Sequence, residues 1–201
     1  MSKLWLRCMG LMAAMGLTGL AVTPGFATTM APQNLAALAK SAQDIVVGDV
    51  TRITEGRQGN MRYLEVEVSV SEAILGTPGR TLKFRQFGVQ AKQPVENGRR
   101  FIGQLPSMPQ YTVGENVILF LGRPSSLGFR TTIGLQQGKF TVLSGNAVNA
   151  FQNNGLFKNV PTGGATLTEK QQAMLATRQG GAHAGTFIDF VRQGVQKHWW
   201  K

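Results

Sequence analysis

The sequence predicts a mainly β fold, a small antiparallel barrel with a short helix before it and a helical extension after it. Short runs of β-branched and aromatic residues recur between glycine-rich turns. No helical pattern separates these runs in the central part of the sequence, which argues against a parallel sheet with crossover helices. A chain of 201 residues is also long enough to bury a core without a disulfide or a metal.

The first 27 residues have the pattern of a cleavable secretory signal. Lys3 and Arg7 precede an apolar run of about 14 residues, Met9 to Val22, and small residues lead up to Ala27. A membrane-spanning helix needs roughly 20 apolar residues, so this run predicts export rather than a retained anchor. We expect cleavage near Ala27 and a periplasmic or secreted mature protein.

Cysteine and charge narrow the chemistry of the mature chain. The single cysteine, Cys8, lies inside the predicted signal, which excludes disulfide exchange, cysteine-ligated zinc and iron–sulfur clusters. His183 and His198 do not form a ligand pair, so we predict no metal and no cofactor. Removing Lys3 and Arg7 from the 21 basic residues leaves 19 against 10 acidic ones. This excess favours anionic partners at the cell envelope over nucleic acid, or serves solubility alone.

The barrel domain is expected over residues 28–160 and begins with a helix and a hairpin. Pro32 to Ala42 has leucines at helical spacing behind a proline suited to a first turn. Asp44 to Ile53 predicts a strand, in which Gly48 marks a bulge or a close backbone approach. A glycine-rich turn then leads to a second strand, Arg62 to Ser71, in which apolar and polar residues alternate.

The polar face of the second strand contains two glutamates, Glu65 and Glu67, which we interpret as solvent-facing rather than as a catalytic pair. The sequence has no G-x-S-x-G elbow and no P-loop. We therefore predict a protein that is not an enzyme, with an unrecognised hydrolase as the alternative.

A long segment without periodicity follows the third predicted strand, Thr81 to Phe87. It extends from 88 to 114, is rich in proline and glycine, and has the length typical of binding loops. Arginine supplies bidentate hydrogen bonds and tyrosine a rigid contact area, so we place the binding site on residues of these two types. The predicted binding residues are Arg85, Arg99, Arg100 and Tyr111.

The remaining strands follow this loop. Asn116 to Leu121 is a continuous apolar run, as expected of a strand buried on both faces at the centre of the core. Phe129 to Leu135, Gly138 to Leu143 and Ala147 to Phe151 bring the predicted strands to seven, of which five or six would surround one core. That number of short strands around one core fits an OB-like barrel.

The helical extension is expected over residues 161–201. Thr166 and Glu169 have the spacing of a capping box at the start of a first helix. Apolar residues at i, i+3, i+4 and i+8 predict a second helix, Thr186 to His198. Its apolar stripe either docks on the barrel or lies on an anionic membrane surface.

Three stretches together resemble a family of uncharacterised exported bacterial proteins. They are Ser41 to Val50, Leu105 to Leu121 and Gly134 to Val142. The family pattern has a G-x-P-x-aromatic segment, a Gly-Glu pair before an apolar strand ending in Phe-Leu, and a Gln-Gly-Lys-Phe strand. Ser107 stands where the first segment has its glycine. The resemblance implies an OB-like barrel of unknown activity over residues 36–145.

Such a barrel is also similar to the N-terminal domain of tissue inhibitors of metalloproteases, which bind a protease zinc through a free N-terminal cysteine. The mature chain has no cysteine, so that mechanism is not expected here. The leading prediction is a non-catalytic periplasmic domain that binds a protein or an envelope component through the long loop. The alternatives are docking on anionic lipid through the C-terminal helix and a protease inhibitor-like role by another route.

Overall fold

The computed structural model describes residues 31–88 and 107–200. The predicted signal, 1–27, lies outside these residues, as do Arg99 and Arg100 of the predicted binding set. The described residues form mainly antiparallel strands, which confirms the mainly β prediction. The strands are β1 (Asp44–Gln58), β2 (Met61–Leu75), β3 (Thr81–Phe87), β4 (Asn116–Leu121), β5 (Lys139–Leu143), β6 (Asn146–Asn149) and β7 (Ala182–His183). The helices are α1 (Leu35–Ser41), α2 (Glu169–Ala176), α3 (Ala184–Gln196) and a 3-10 turn at Leu135–Gln137.

The strands form one sheet in the order β3-β2-β1-β4-β5-β6-β7, with antiparallel neighbours throughout. β3 and β7 are its edges, so the strand ladders do not close into the predicted barrel. A segment over 129–132 makes two isolated bridges instead, a parallel one from Phe129 to Arg85 and an antiparallel one from Thr132 to Leu121. This segment therefore lies between the ends of β3 and β4.

The predicted strand over Phe129 to Leu135 is wrong, because its last residues leave the extended conformation. Gly134 and Leu135 have φ angles of 59° and 54°, in the left-handed region, and the 3-10 turn begins there. Arg130 holds the segment through its side chain, which forms an ion pair with Asp44 and donates to the carbonyl oxygen of Gly122 at 2.6 Å. Side-chain bonds and two bridges thus take the place of a ladder.

The hairpin of β1 and β2 is confirmed and is longer than predicted, with 15 residues in each strand. Gln58 pairs with Met61 across the turn. Gly48 lies at a register shift, and a Cβ there would be 2.2 Å from the carbonyl oxygen of Ser69. Both features predicted for Gly48, the bulge and the close approach, are therefore present, and a larger residue would force the strands apart.

β4 lies at the centre of the core, as predicted, because its residues are buried on both faces. Val117 and Leu119 point into a cluster enclosed by β1, β2 and β3, whereas Ile118 and Phe120 point into a second cluster under the helices. All four side chains are completely buried. Each contributes roughly 1.5–3 kcal/mol by leaving water, which makes β4 the strand that joins the two cores.

Two helices cover one face of the sheet. Asn34 is the N-cap of α1, and its Oδ1 accepts a hydrogen bond from the Ala37 amide at 2.9 Å. Its Leu35 and Leu38 are completely buried. The predicted helix between Pro32 and Ala42 is thereby confirmed, and it packs against the sheet.

The C-terminal helix α3 docks on the same face. Phe187, Phe190 and Val191 are completely buried, in the same cluster as Ile118 and Phe120 of β4. Arg192 donates from Nε and Nη2 to the two carboxylate oxygens of Glu72 at 2.8 and 2.9 Å, which ties the helix to β2. The apolar face of α3 is therefore part of the core and is not available to a membrane in this structure.

The capping box of α2 lies two residues later than predicted. Thr168, not Thr166, is the N-cap, and its hydroxyl accepts from the Gln171 amide at 3.2 Å. The Thr168 amide in turn donates to Gln171 Oε1 at 3.1 Å. Glutamine serves as well as glutamate in this role, and Glu169 instead lies in the first turn, at the positive end of the helix.

The last tryptophans pack on the chain before α2. Trp200 is 9% exposed and donates from Nε1 to the Pro161 carbonyl oxygen at 2.9 Å.

Across residues 31–88 and 107–200, no helix has the length and apolar character needed to cross a membrane.

Candidate functional site

The two predicted binding residues that the structure describes do not lie together. Arg85 is on β3, where alternate residues are exposed and buried, and it points outward. Tyr111 is 7% exposed and belongs to the core cluster on the inward side of β3. The sheet therefore separates them, and only Arg85 is presented to a partner.

Arg85 combines a charge with an aromatic surface. Its Nε donates to Glu65 Oε2 at 2.8 Å, and its guanidinium carbon lies 4.9 Å from the centroid of the Tyr63 ring. The hydrogen bond to Glu65 raises the pKa of Arg85 above its usual range, so the side chain stays charged at any physiological pH. Its side chain is 47% exposed. A cation is thus held beside an aromatic ring at the surface.

The position of the Tyr63 ring depends on the residue opposite it. Tyr63 pairs with Gly56 in the hairpin, and a Cβ on Gly56 would lie 2.3 Å from Tyr63 Cζ. The ring therefore covers the glycine, an arrangement in which an aromatic residue shields a strand backbone that has no side chain of its own. Glycine at position 56 is what allows the ring to lie flat on the strand next to Arg85.

Phe129 extends this aromatic surface into a cleft. Its ring centroid is 6.0 Å from that of Tyr63, with an angle of 57° between the ring planes. Beyond Phe129 lies an open cleft of about 530 Å³, which we call the aromatic cleft. Its lining residues are Gln33, Phe87, Met108, Gly122, Arg123, Ser125, Phe129, Arg130, Thr131, Thr132, Ile133, Gly134 and Leu135.

The lining of the aromatic cleft mixes apolar and polar groups. Phe87 and Phe129 supply aromatic surface, while Ser125 and Thr131 supply hydroxyl groups. Arg123 is exposed at its rim. Concave sites of 300–1,000 Å³ with apolar walls and a few polar groups are typical of ligand-binding sites.

The glutamates of β2 are paired with basic residues of β3. Glu67 Oε2 lies 3.0 Å from Lys83 Nζ, in line with the pair formed by Glu65 and Arg85. Their Cα partners in the ladder are these same basic residues. Opposite charges directly across a strand pair stabilise the pairing modestly, by roughly 0.2–1 kcal/mol.

Tyr111 has a structural role on the inward side. Its ring packs edge-on against Phe84, with centroids 5.7 Å apart. Its hydroxyl group has no hydrogen-bond partner in the described part of the chain. Burial raises the pKa of Tyr111 well above its ordinary value of 10.0, with the negative charge of Glu115 as a smaller cause.

Lys139 is the charged residue that sequence reasoning missed. Its amine forms an ion pair with Glu115, donates to the carbonyl oxygen of Gln110 and lies 5.0 Å from the Tyr111 ring centroid. Its side chain is 13% exposed, and burial lowers the pKa of the amine despite the opposing effect of Glu115. Glu115, the acidic member of this ion pair, also accepts a hydrogen bond at Oε1 from the Thr141 hydroxyl at 2.7 Å.

This ion pair joins two motifs that the sequence analysis singled out separately. Glu115 belongs to the Gly-Glu pair before β4, and Lys139 belongs to the Gln-Gly-Lys-Phe strand. Their contact fastens residues 110–115 onto β5. The family-like motifs therefore serve the fold at this point, and the charged pair is not presented to solvent.

The sequence contained one signal for the position of the Tyr63 ring. The turn at Gly59-Asn60 sets the hairpin register, and that register places Tyr63 opposite Gly56. No comparable signal existed for Phe129, because its position depends on two isolated bridges rather than on a strand.

No group of three or more histidine, cysteine, aspartate or glutamate side chains that could hold a metal ion occurs within 31–88 and 107–200.

Comparison of the chain with protein-family models, with curated proteins and with solved structures gives no match.

Proposed function

We propose that the chain is an exported, non-catalytic domain that binds a protein or an envelope component through the outer face of β2 and β3. The observation that supports this is the exposed guanidinium of Arg85 over the ring of Tyr63, a ring that contacts Phe129 in the lining of the aromatic cleft. Arginine and tyrosine are enriched at the energetically dominant positions of protein interfaces. Arg99 and Arg100 belong to the same proposal because they lie in the sequence segment 88–114, whose composition predicts a binding loop.

The finer architecture that we propose is an interrupted OB-like barrel. Going round the ring, β4, β1, β2 and β3 are joined by ladders, and the 129–132 segment bridges back from β3 to β4. The bridge to β3 is parallel and the one to β4 antiparallel. The aromatic cleft lies beside this segment, where isolated bridges stand instead of strand ladders.

Export is part of the proposal and rests on the pattern of residues 1–27. Its test is the intact mass of the protein recovered from the exporting cell. A mass that corresponds to a start at Thr28 supports cleavage after Ala27, whereas the full-length mass overturns it.

Neither alternative function is carried forward as a second candidate. Lipid docking through α3 would need its apolar stripe at the surface, but Phe187, Phe190 and Val191 are completely buried. A protease inhibitor-like role has no observation of its own among the described residues.

The experiment is affinity capture from the cell envelope of the source organism, with the full chain tagged at its C-terminus and mildly crosslinked. The test variant replaces Arg85, Arg99 and Arg100 with alanine. The matched control replaces three exposed basic residues elsewhere, Lys158, Lys170 and Arg178, and thus removes the same charge.

We expect one component to be retained by the wild type and by the control variant and lost from the test variant. Equal loss of this component from both variants would show that net charge alone explains the capture, and would overturn the proposed surface. Equal retention by both variants would overturn it as well.

A further inference from the structure

We propose that the aromatic cleft and its flanking arginines bind a polysaccharide that carries carboxylate groups, a polyuronate. This inference rests on the proposed function and names the ligand class of the same surface. It depends on three observations: the aromatic rings at the mouth of the cleft, the hydroxyl and amide groups inside it, and an arginine at each end.

The aromatic rings match one property of a sugar. A pyranose ring has faces of C–H groups and an edge of hydroxyl groups, so it stacks on an aromatic side chain and hydrogen-bonds at its rim. Tyr63 and Phe129 offer two rings at a centroid distance of 6.0 Å, and Phe87 lies opposite Tyr63 in the ladder and continues into the cleft. The two rings are inclined by 57° and contact each other, so they form one angled aromatic surface that faces the ligand from one side.

The polar lining matches the hydroxyl edge. Gln33, Ser125 and Thr131 line the cleft among the apolar residues. A hydroxyl group both donates and accepts a hydrogen bond, and a side-chain amide does the same with two different atoms. Such groups suit a ligand that has many hydroxyl groups better than one that is apolar throughout.

The arginines explain why the polysaccharide should be acidic. Arg85 lies at the Tyr63 end and Arg123 at the rim of the cleft. Glu65 uses the Nε of Arg85, and the terminal nitrogens of Arg85 have no hydrogen-bond acceptor in the part of the chain that the structure describes. A planar guanidinium fork pairs with a carboxylate through two parallel hydrogen bonds.

The shape of the cleft favours a chain over a single sugar. It is open to solvent, and the aromatic surface continues outward over Tyr63 instead of ending at Phe129. The net charge of +11 for the whole chain would attract a polyanion over a longer range. A repeating acidic polymer can therefore place successive carboxylates near Arg85 and Arg123.

The test measures binding of polygalacturonate to the protein purified from the exporting cell, by biolayer interferometry at two salt concentrations. The fully methyl-esterified polymer keeps the sugar rings and removes the charge. Inorganic polyphosphate keeps the charge and removes the sugar. We expect polygalacturonate to bind about tenfold or more tightly than either of these probes, with lower affinity at high salt.

Two variants separate the contributions of the rings and the charges. Tyr63→Leu with Phe129→Leu removes the rings at constant charge, and Arg85→Gln with Arg123→Gln removes the guanidinium groups. Each pair should weaken polygalacturonate binding by about tenfold or more. The matched control, Lys170→Gln with Arg178→Gln, should stay within about twofold once net charge is reduced equally. Unchanged urea midpoints would show that the variants are folded.

Equal binding of polyphosphate, or polygalacturonate binding that does not depend on Tyr63 and Phe129, would overturn the inference and leave charge alone. If polygalacturonate does not bind but envelope capture still requires Arg85, Arg99 and Arg100, the ligand class is wrong and the proposed function stands. If both assays are insensitive to these residues, both proposals fail.

Discussion

The chain contains two clusters of the same composition, each with a tyrosine, a glutamate and a basic side chain. The exposed cluster comprises Tyr63, Glu65 and Arg85, and the buried cluster comprises Tyr111, Glu115 and Lys139. The cation lies 4.9 Å from the ring centroid in the first and 5.0 Å in the second. The cation therefore lies at nearly the same distance from the ring in both clusters.

They differ in their access to water. In the exposed cluster the cation and the carboxylate are 47% and 36% exposed, whereas in the buried cluster they are 13% and 9% exposed. An exposed ion pair is screened by solvent and contributes little to stability, but its cation is accessible to a ligand. A buried pair is unavailable to ligands, and breaking it leaves a charge without its partner. Burial, and not composition, therefore separates the structural cluster from the candidate binding cluster.

The largest contrast is expected when the cation of each cluster is truncated. Lys139→Ala leaves the Glu115 carboxylate buried without its cation and should lower the free energy of unfolding by about 3 kcal/mol. Arg85→Ala removes an exposed partner whose charge solvent already screens, so the urea midpoint should stay close to that of the wild type. Urea denaturation followed by circular dichroism measures both values. Similar costs for the two variants would contradict the division into a structural and a binding cluster.

A smaller contrast is expected at alkaline pH. Because burial raises the pKa of Tyr111 above 10.0, the unfolded chain loses this proton first, and folding stability falls as the pH rises above 10. The contribution of Lys139 to the pH dependence has the opposite sign. Because its pKa is lowered, the folded chain loses this proton below pH 10.5, before the unfolded chain does, and stability rises with pH in that range. Tyr111→Phe removes only the first effect.

The measurement for this prediction is the urea midpoint of the wild type and Tyr111→Phe between pH 9 and pH 11. The wild type should lose more stability above pH 10 than the variant does. At neutral pH the two should agree within about 1 kcal/mol, because the hydroxyl group has no partner among the described residues. Parallel pH profiles would show that Tyr111 ionises normally and is not buried as described.

A small effect on stability, with a specific effect on the exposed cluster, is expected for Gly56→Ala. The new methyl group would meet the Tyr63 ring at 2.3 Å and displace it, at a cost of about 1 kcal/mol. Chemical shifts of the Tyr63 ring protons should change. In a Tyr63→Ala background the same substitution should cost less, and an equal cost in both backgrounds would show that the ring does not cover Gly56.

Local pattern was sufficient for most of the elements. The alternation in β2 and the apolar run of β4 predicted which faces are buried. The stripe of α3 predicted an amphipathic helix, for which docking on the fold was one of two alternatives. These features depend on residues close in sequence, whose spacing alone decides which side of an element is apolar. The mainly β class and the hairpin of β1 and β2 follow from the same kind of signal.

The two clusters depend on contacts that no local pattern records. Tyr111 meets Lys139 across 28 positions, and Phe129 reaches Tyr63 across 66. Tyr111 was expected in a surface loop, because the residues around it are rich in proline and glycine. In the structure its ring packs on Phe84 and is part of the core. Residues 88–114 have the composition of a loop, but that composition does not show which side chains turn inward.

Residue type and spacing set where strands and helices form, which faces are apolar, and how much charge the chain has. Which of the two similar clusters is buried depends on how β3, β4 and β5 are placed around the loop residues, a long-range packing outcome. The strand ladders do not close into the predicted barrel, because β3 and β7 remain the edges of the sheet and the 129–132 segment makes only isolated bridges. Solvent access is a property of the assembled fold, and it separates the ion pair that stabilises the core from the one that faces a ligand.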